Sequence, residues 1–202
     1  DRIRPTDLSD VVGQRHLLSP DKALYNMIQN GDIPNLIFYG PSGVGKTTVA
    51  SIIANKTKRA LRKLNGTNAS TQDIRDIVSQ LDTFEAPNGI LLYLDEIQYF
   101  NKRQQQSLLE YIENGKITLI ASTTENPYFY VYSAILSRST VFEFKSVSSE
   151  DIIPAVKRGF DFLSKENNIE IVCDDEAVKK IAVGCGGDVR KSVSTAELCV
   201  LG

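Results

Sequence analysis

Gly40-Pro41-Ser42-Gly43-Val44-Gly45-Lys46-Thr47 has the order and composition of a phosphate-binding loop, and it directly follows the apolar run Leu36-Ile37-Phe38-Tyr39. Glycines let such a loop turn sharply, so that successive backbone N–H groups and the positive end of the following helix point at phosphate oxygens. Lys46 adds a point charge for the β- and γ-phosphates. The Thr47 hydroxyl stands where it can ligate Mg²⁺, with Thr48 beside it. These residues imply binding of a nucleoside triphosphate.

A second chemical signature follows about 50 residues later, where the hydrophobic run Leu91-Leu92-Tyr93-Leu94 ends in Asp95-Glu96. Asp95 suits the Mg²⁺ shell, and Glu96 suits a group that orients or deprotonates an attacking water, because phosphoryl transfer needs positioning and charge neutralisation. Paired acids at a strand end are common solvated residues, and it is the preceding phosphate loop that gives these a role. Thr123 and Thr124 follow the apolar run 117–121. Their hydroxyls either cap the turn before Asn126-Pro127 or reach ligand at the carboxyl edge of the sheet. Arg138, in Leu136-Ser137-Arg138-Ser139, is by position a solvated cation. Arg190 opens the last helical segment, where the helix dipole disfavours a cation, and a bound phosphate would resolve the conflict.

The elements that must hold these residues alternate. Short apolar strands are expected at 36–39, 60–64, 90–94, 117–121 and 141–144, with helices at 47–56, 70–81 and 101–113 between them. This is an α/β pattern, a mostly parallel five-stranded sheet covered by helices on both faces. Ser19-Pro20-Asp21 is expected to cap a helix ending at Asn30-Gly31. Beyond Lys145 the pattern becomes helical, with a capping signal at 148–151 and helices at 174–183 and 188–200 around Gly184-Cys185-Gly186-Gly187. The expected division is therefore a nucleotide-binding core at 1–146 and a small all-helical lid at 147–202.

Composition narrows the function classes. With 202 residues and 42% hydrophobic content the chain can bury a core, and a net charge of −2 argues against coating nucleic acid along the whole surface. Any DNA contact must be local. Cys173, Cys185 and Cys199 are far from the lone His16 and lack metal-ligand spacing, which indicates neither zinc nor a disulfide framework. The sequons at Asn65 and Asn68 read as turn residues, because neither a signal peptide nor an apolar stretch of membrane length accompanies them. A cytoplasmic protein is expected. The chain starts with Asp and stops straight after a helical pattern, so a fragment lacking a C-terminal part is expected.

With these residues placed, the chain resembles the AAA+ ATPases of the clamp-loader group, and within them the replication-associated recombination protein A family. The likeness spans the whole chain. It is carried by Arg4-Pro5 and the stretch from Asp10 to Leu18, by Asp95-Glu96-Ile97-Gln98-Tyr99-Phe100-Asn101-Lys102 with Gln104-Gln105, and by Ser122-Thr123-Thr124-Glu125-Asn126-Pro127. The resemblance implies ATP as the nucleotide, with Val11, Val12 and Gln14 packing around adenine. It implies that Thr124 is the first sensor, Arg138 an arginine finger reaching a neighbouring subunit's ATP, and Arg190 the second sensor on the lid. It also implies a C-terminal oligomerisation domain beyond the lid, a homo-oligomer, and a location in the bacterial cytosol with the nucleoid. The implied function is a DNA-dependent ATPase at replication forks, acting on ends or single-strand/double-strand junctions with single-strand-binding protein as a partner. Two alternatives stay open: a clamp-loader or branch-migration subunit, and a nucleotide-switched scaffold. Lys102, Arg103 and Lys116 are either DNA contacts or solvated charges.

Overall fold

The computed structural model describes residues 3–201. Five strands, β1 (Asn35–Tyr39), β2 (Ala60–Asn65), β3 (Ile90–Asp95), β4 (Ile117–Thr123) and β5 (Ser139–Glu143), form one sheet in the order β2-β3-β4-β1-β5. Every pairing is parallel. β3 and β4 are interior strands, and Leu91, Leu92, Leu94, Leu119, Ile120 and Ala121 are wholly buried. That is why these runs carry no polar alternation. The expected α/β class is borne out.

Helices α1 (Arg15–Leu18), α2 (Ala23–Asn30), α3 (Lys46–Thr57), α4 (Thr71–Val78) and α5 (Lys102–Glu113) connect and cover the strands. The capping chemistry of two is explicit. Ser70 and Asp73 form a reciprocal capping box on α4, and Asn101 and Gln104 do the same on α5. Two short helices, α6 (Pro127–Tyr130) and α7 (Ser133–Leu136), fill the β4–β5 crossover, and α8 (Ser149–Asn167), α9 (Asp175–Gly184) and α10 (Val189–Leu201) follow the sheet.

Two expectations shift. Ser19-Pro20-Asp21 does not cap α2: Ser19 ends α1, Asp21 takes a left-handed φ of 73°, and α2 begins at Ala23 after Lys22, which makes no side-chain cap. The chain spends those residues turning between two helices. The last strand starts earlier than expected, because Ser139 and Thr140 pair with Asn35 and Leu36. Phe144 leaves the strand and packs its ring 4.9 Å from that of Phe38.

Buried side chains fall into two clusters, one on each face of the sheet. The first runs without a break from Leu24, Phe38 and Ile53 into Ile152, Val156 and Ala196 of the trailing helices. Burial of that face holds α8 and α10 over the carboxyl end of β1, where the phosphate loop lies.

Candidate nucleotide site

The loop between β1 and α3 takes the backbone that the glycines permit. Gly40, Gly43 and Gly45 have φ of 140°, 73° and 112°. A Cβ at Gly43 would stand 1.9 Å from Asp188 Oδ1, and one at Gly40 would stand 2.1 Å from the Phe144 carbonyl oxygen. The loop is therefore clasped from both sides. Gly40 N–H donates to the Thr123 carbonyl at 3.1 Å, and Val189 N–H donates to the Gly43 carbonyl at 2.9 Å. The second bond docks the start of α10 on the loop and carries Arg190 into the site.

A cavity of about 680 Å³ opens between the loop and the trailing helices. One part is polar: the 42–48 stretch of the loop with Lys46 and Thr47, together with Asp95, Glu96, Arg4 and Arg190. The other part is more apolar, with Val11 and Val12 from the entry segment, Ala155, Phe162 and Leu163 from α8, and Val193 from α10. The size suits a nucleotide, and the division suits a purine joined to phosphates. Arg158, Phe162 and Glu166 recur every four residues along α8 and so share the face that lines the cavity.

Electrostatics favour a polyanion beside the loop. Burial pulls the Lys46 ammonium below its ordinary range, Asp95 and Glu96 oppose that pull, and Arg190 adds to it. Arg4 is lowered as well, by burial first and by Arg190 second. Arg190 disfavours the charge on both Lys46 and Arg4, and a shared anion would relieve both. Lys46 Nζ donates to the Gly40 and Pro41 carbonyls at 2.6 and 2.5 Å, which holds it inside the loop's curve.

The acid side fits Mg²⁺ in a specific way. Among the described residues no three His, Cys, Asp or Glu side chains converge to hold a metal. Thr47 and Asp95 both line the cavity and could hold a Mg²⁺ ion whose shell phosphate oxygens and waters would complete. Thr47 Oγ1 donates to the Tyr93 hydroxyl at 3.1 Å. Tyr93 is 2% exposed, and burial first, with Asp95 second, pushes its phenol up to about 12. Glu96 stands in a left-handed turn with φ of 55° and accepts a hydrogen bond from Gln98 Nε2.

Val11, Val12, Ser42, Gly43, Val44, Gly45, Lys46, Thr47, Thr48, Asp95, Glu96 and Arg190 all line the cavity. Gln14, Gly40, Pro41, Thr124 and Arg138 do not. Gln14 is 5% exposed and acts as a brace, donating to the Val44 and Lys145 carbonyls at 3.2 and 2.6 Å and accepting from Lys145 N–H at 3.0 Å. Thr123 follows the turn-capping alternative, since its hydroxyl accepts from Glu125 N–H at 3.0 Å, while Thr124 lies exposed at the carboxyl edge. Arg138 sits at the opposite end of the sheet. It precedes Ser139, which is level with Asn35, and its guanidinium pairs with Glu113 at 2.6 Å. At a strand rise of about 3.3 Å per residue, Arg138 and the phosphate loop stand roughly 20 Å apart along β1.

Residues 36–147 match the ATPase family associated with various cellular activities (AAA). The chain belongs to the AAA family of ATPases. Among AAA proteins, the expected likeness to replication-associated recombination protein A is borne out. The Bacillus subtilis protein of that name is 40% identical over 99% of this chain and 47% of its own length. The ATPase WRNIP1 of Dictyostelium discoideum is 34% identical over 99% of this chain and 23% of its own length. This AAA chain therefore spans half the length, or less, of those relatives. Among solved structures, the Thermotoga maritima RuvB Holliday junction branch migration motor superposes with a TM-score of 0.77 at 25% identity, covering 98% of this chain and 65% of that one. No described helix of this AAA chain is long and apolar enough to cross a membrane.

Arg4 and Tyr93 were not singled out as site residues from the sequence. Arg4 had a signal in the Arg4-Pro5 motif. Tyr93 had one as the only hydroxyl in the otherwise aliphatic run 90–94.

Proposed function

We propose that this chain is the ATP-hydrolysing part of a DNA-dependent motor that works in replication-linked recombination and repair, on forks, ends or single-strand/double-strand junctions. The observation that carries the reading is the division of charge across the sheet. Lys46, Thr47, Asp95, Glu96 and Arg190 line one cavity at the carboxyl edge, and Arg138 stands at the amino edge. Lys46, Arg190 and the loop N–H groups bind the triphosphate, and Val11 and Val12 hold the purine, with Gln14 bracing the loop against residue 145 rather than touching the base. Mg²⁺ on Thr47 and Asp95 would neutralise charge that develops on the phosphates. Glu96 takes a proton from a water that attacks the γ-phosphorus, the bond to the β-phosphate oxygen breaks, and ADP and inorganic phosphate leave. Thr124, exposed at the carboxyl edge, orients that water or the γ-phosphate.

Arg138 cannot reach the nucleotide of its own chain, so it serves that of a neighbouring copy in a homo-oligomer. The 1–146 core then carries the chemistry, and the 147–202 lid, docked through Val189 and Gly43, reports nucleotide state through Arg190. Such a motor belongs in the cytoplasm beside the nucleoid, with single-strand-binding protein as a neighbour on its DNA. The likeness to the RuvB motor favours a second reading, branch migration of a junction rather than work on an end.

The test is steady-state ATP hydrolysis with and without DNA bearing a single-strand/double-strand junction. Stimulation by that DNA is expected. Normal ATP binding with turnover indifferent to every DNA form would replace the motor with a switch or scaffold.

A further inference from the structure

Four aromatic rings stand in water beside the carboxyl edge of the sheet. Tyr99 is 62% exposed, Tyr128 64%, Phe129 82% and Tyr130 50%. They come from two turns that touch one another, the 3-10 turn Ile97–Tyr99 after β3 and helix α6 after β4. None of the four lines the nucleotide cavity. A cluster of large rings on one stretch of surface marks an interaction site rather than chance exposure.

The backbone that carries the rings is braced from below. Gln105, 3% exposed, donates through Nε2 to the Phe100 carbonyl at 3.0 Å and the Tyr130 carbonyl at 3.2 Å, and its Oε1 accepts from Tyr132 N–H at 2.7 Å. One buried amide thus ties both turns to α5. Two cations open α5, just after Tyr99 in the chain. Lys102 Nζ lies 5.2 Å from the Tyr132 ring centroid, Arg103 is exposed beside it, and among the described residues neither enters an ion pair. Glu125 is the carboxylate of the segment joining β4 to α6.

We propose that this face binds a single strand of nucleic acid, with bases stacked on Phe129 and its neighbouring tyrosines and phosphates drawn to Lys102 and Arg103. Rings that offer a flat face and cations that offer a phosphate contact are the two requirements of single-strand binding without sequence reading. A duplex hides its base faces inside the stack, so the rings have nothing to pair with there. The inference deepens the DNA partner of the proposed function but does not depend on the ATP chemistry.

The test is fluorescence anisotropy of the chain with labelled oligothymidylate of about 30 nucleotides and with a duplex of the same length, at low salt, alongside Mg-ATP affinity. The single strand is expected to bind more tightly than the duplex. Phe129→Ala and Tyr128→Ala should each weaken single-strand binding about 10-fold or more, and Phe129→Leu should weaken it nearly as much, because leucine keeps the apolar contact but has no ring to stack. Lys102→Gln should flatten the slope of log affinity against log salt by about 0.7. Mg-ATP affinity should be unchanged throughout, which also shows that the variants fold. The proposal is overturned by a parent chain that binds no oligothymidylate, by alanine variants that bind like the parent, or by Phe129→Leu restoring parental affinity. It is likewise overturned if the alanine changes abolish self-association in sedimentation and leave strand binding intact, which would make the face a contact between copies. Loss of strand binding with normal ATP turnover would leave the ATPase reading standing.

Discussion

The carboxyl and amino edges of this sheet treat arginine in opposite ways. At the carboxyl edge, Arg190 enters a half-enclosed cavity beside Lys46 and Arg4, on a helix whose first N–H is bonded to the phosphate loop. At the amino edge, Arg138 is exposed, and among the described residues its guanidinium meets Glu113, the Ala134 carbonyl and the Ser137 hydroxyl. The first arrangement makes sense only with an anion of the chain's own. The second makes sense as a charge parked on a weak surface partner, since an exposed ion pair contributes at most about 1 kcal/mol. An ion pair that weak is easily exchanged for a phosphate brought by another copy. On the proposed reading, the contrast teaches that a single chain holds the groups for binding nucleotide and needs a neighbouring copy to complete hydrolysis.

The sharpest way to break this comparison is Arg138→Ala in the assembled protein. ATP turnover should fall by roughly 10³-fold or more, the scale of finger arginines in phosphate-loop enzymes. Binding of ATP and thermal stability should hardly change, because the Glu113 pair is exposed. Mixing sharpens the result. Glu96→Gln should bind ATP and lose turnover in its own site. If Arg138 works across the interface, mixing Arg138→Ala with Glu96→Gln copies creates sites with Glu96 from one and Arg138 from the other, and turnover returns. Absence of any recovery would place both residues in one chain's site and defeat the split-site reading.

The carboxyl edge is probed by heat. Saturating Mg-ATP at a hundredfold excess over Kd should stabilise the chain by about 2.7 kcal/mol, or roughly 5–10 °C in melting temperature for a chain of this size. Arg190→Ala should leave the unliganded melting temperature alone and reduce the shift at fixed nucleotide, because one charge-assisted hydrogen bond to phosphate is worth about 1.5–3 kcal/mol. An undiminished shift would mean that α10 docks on the loop without touching nucleotide.

The same contrast governs what could be read from the sequence. The phosphate loop and the acids after β3 were legible because backbone chemistry fixes their spacing, and β3 because a strand buried on both faces has no polar alternation. Helix α6 was not, since four residues cannot display a helical period. The start of α2 was misplaced because Ser19-Pro20-Asp21 has the composition of a cap but is used as a turn. Gln14 illustrates a subtler limit. Its sequence neighbourhood gives its location beside the nucleotide segment, but only the folded chain shows its amide committed to the Val44 and Lys145 backbone. A side chain's partner across about 130 residues leaves no local trace.

Tyr93 gives the smallest and most specific test. Its hydroxyl accepts from Thr47 Oγ1, so the Thr47 proton is directed toward β3 and the oxygen's lone pairs are left for a cation. Ser122, fully buried on the adjoining strand β4, is a second side-chain hydroxyl that acts on the phenol. Tyr93→Phe keeps the ring and its packing and deletes the hydroxyl that accepts from Thr47. The expected result is a loss of about 2- to 10-fold in the Mg²⁺ affinity of the ATP-bound protein, the value of one hydrogen bond, with ATP binding in the presence of a chelator unaffected. Titrating Mg²⁺ against a fluorescent ATP analogue reads this without any turnover. An unchanged midpoint would mean that the loop backbone alone orients Thr47, and that the hydroxyl which distinguishes this strand from a wholly apolar one is incidental to the site.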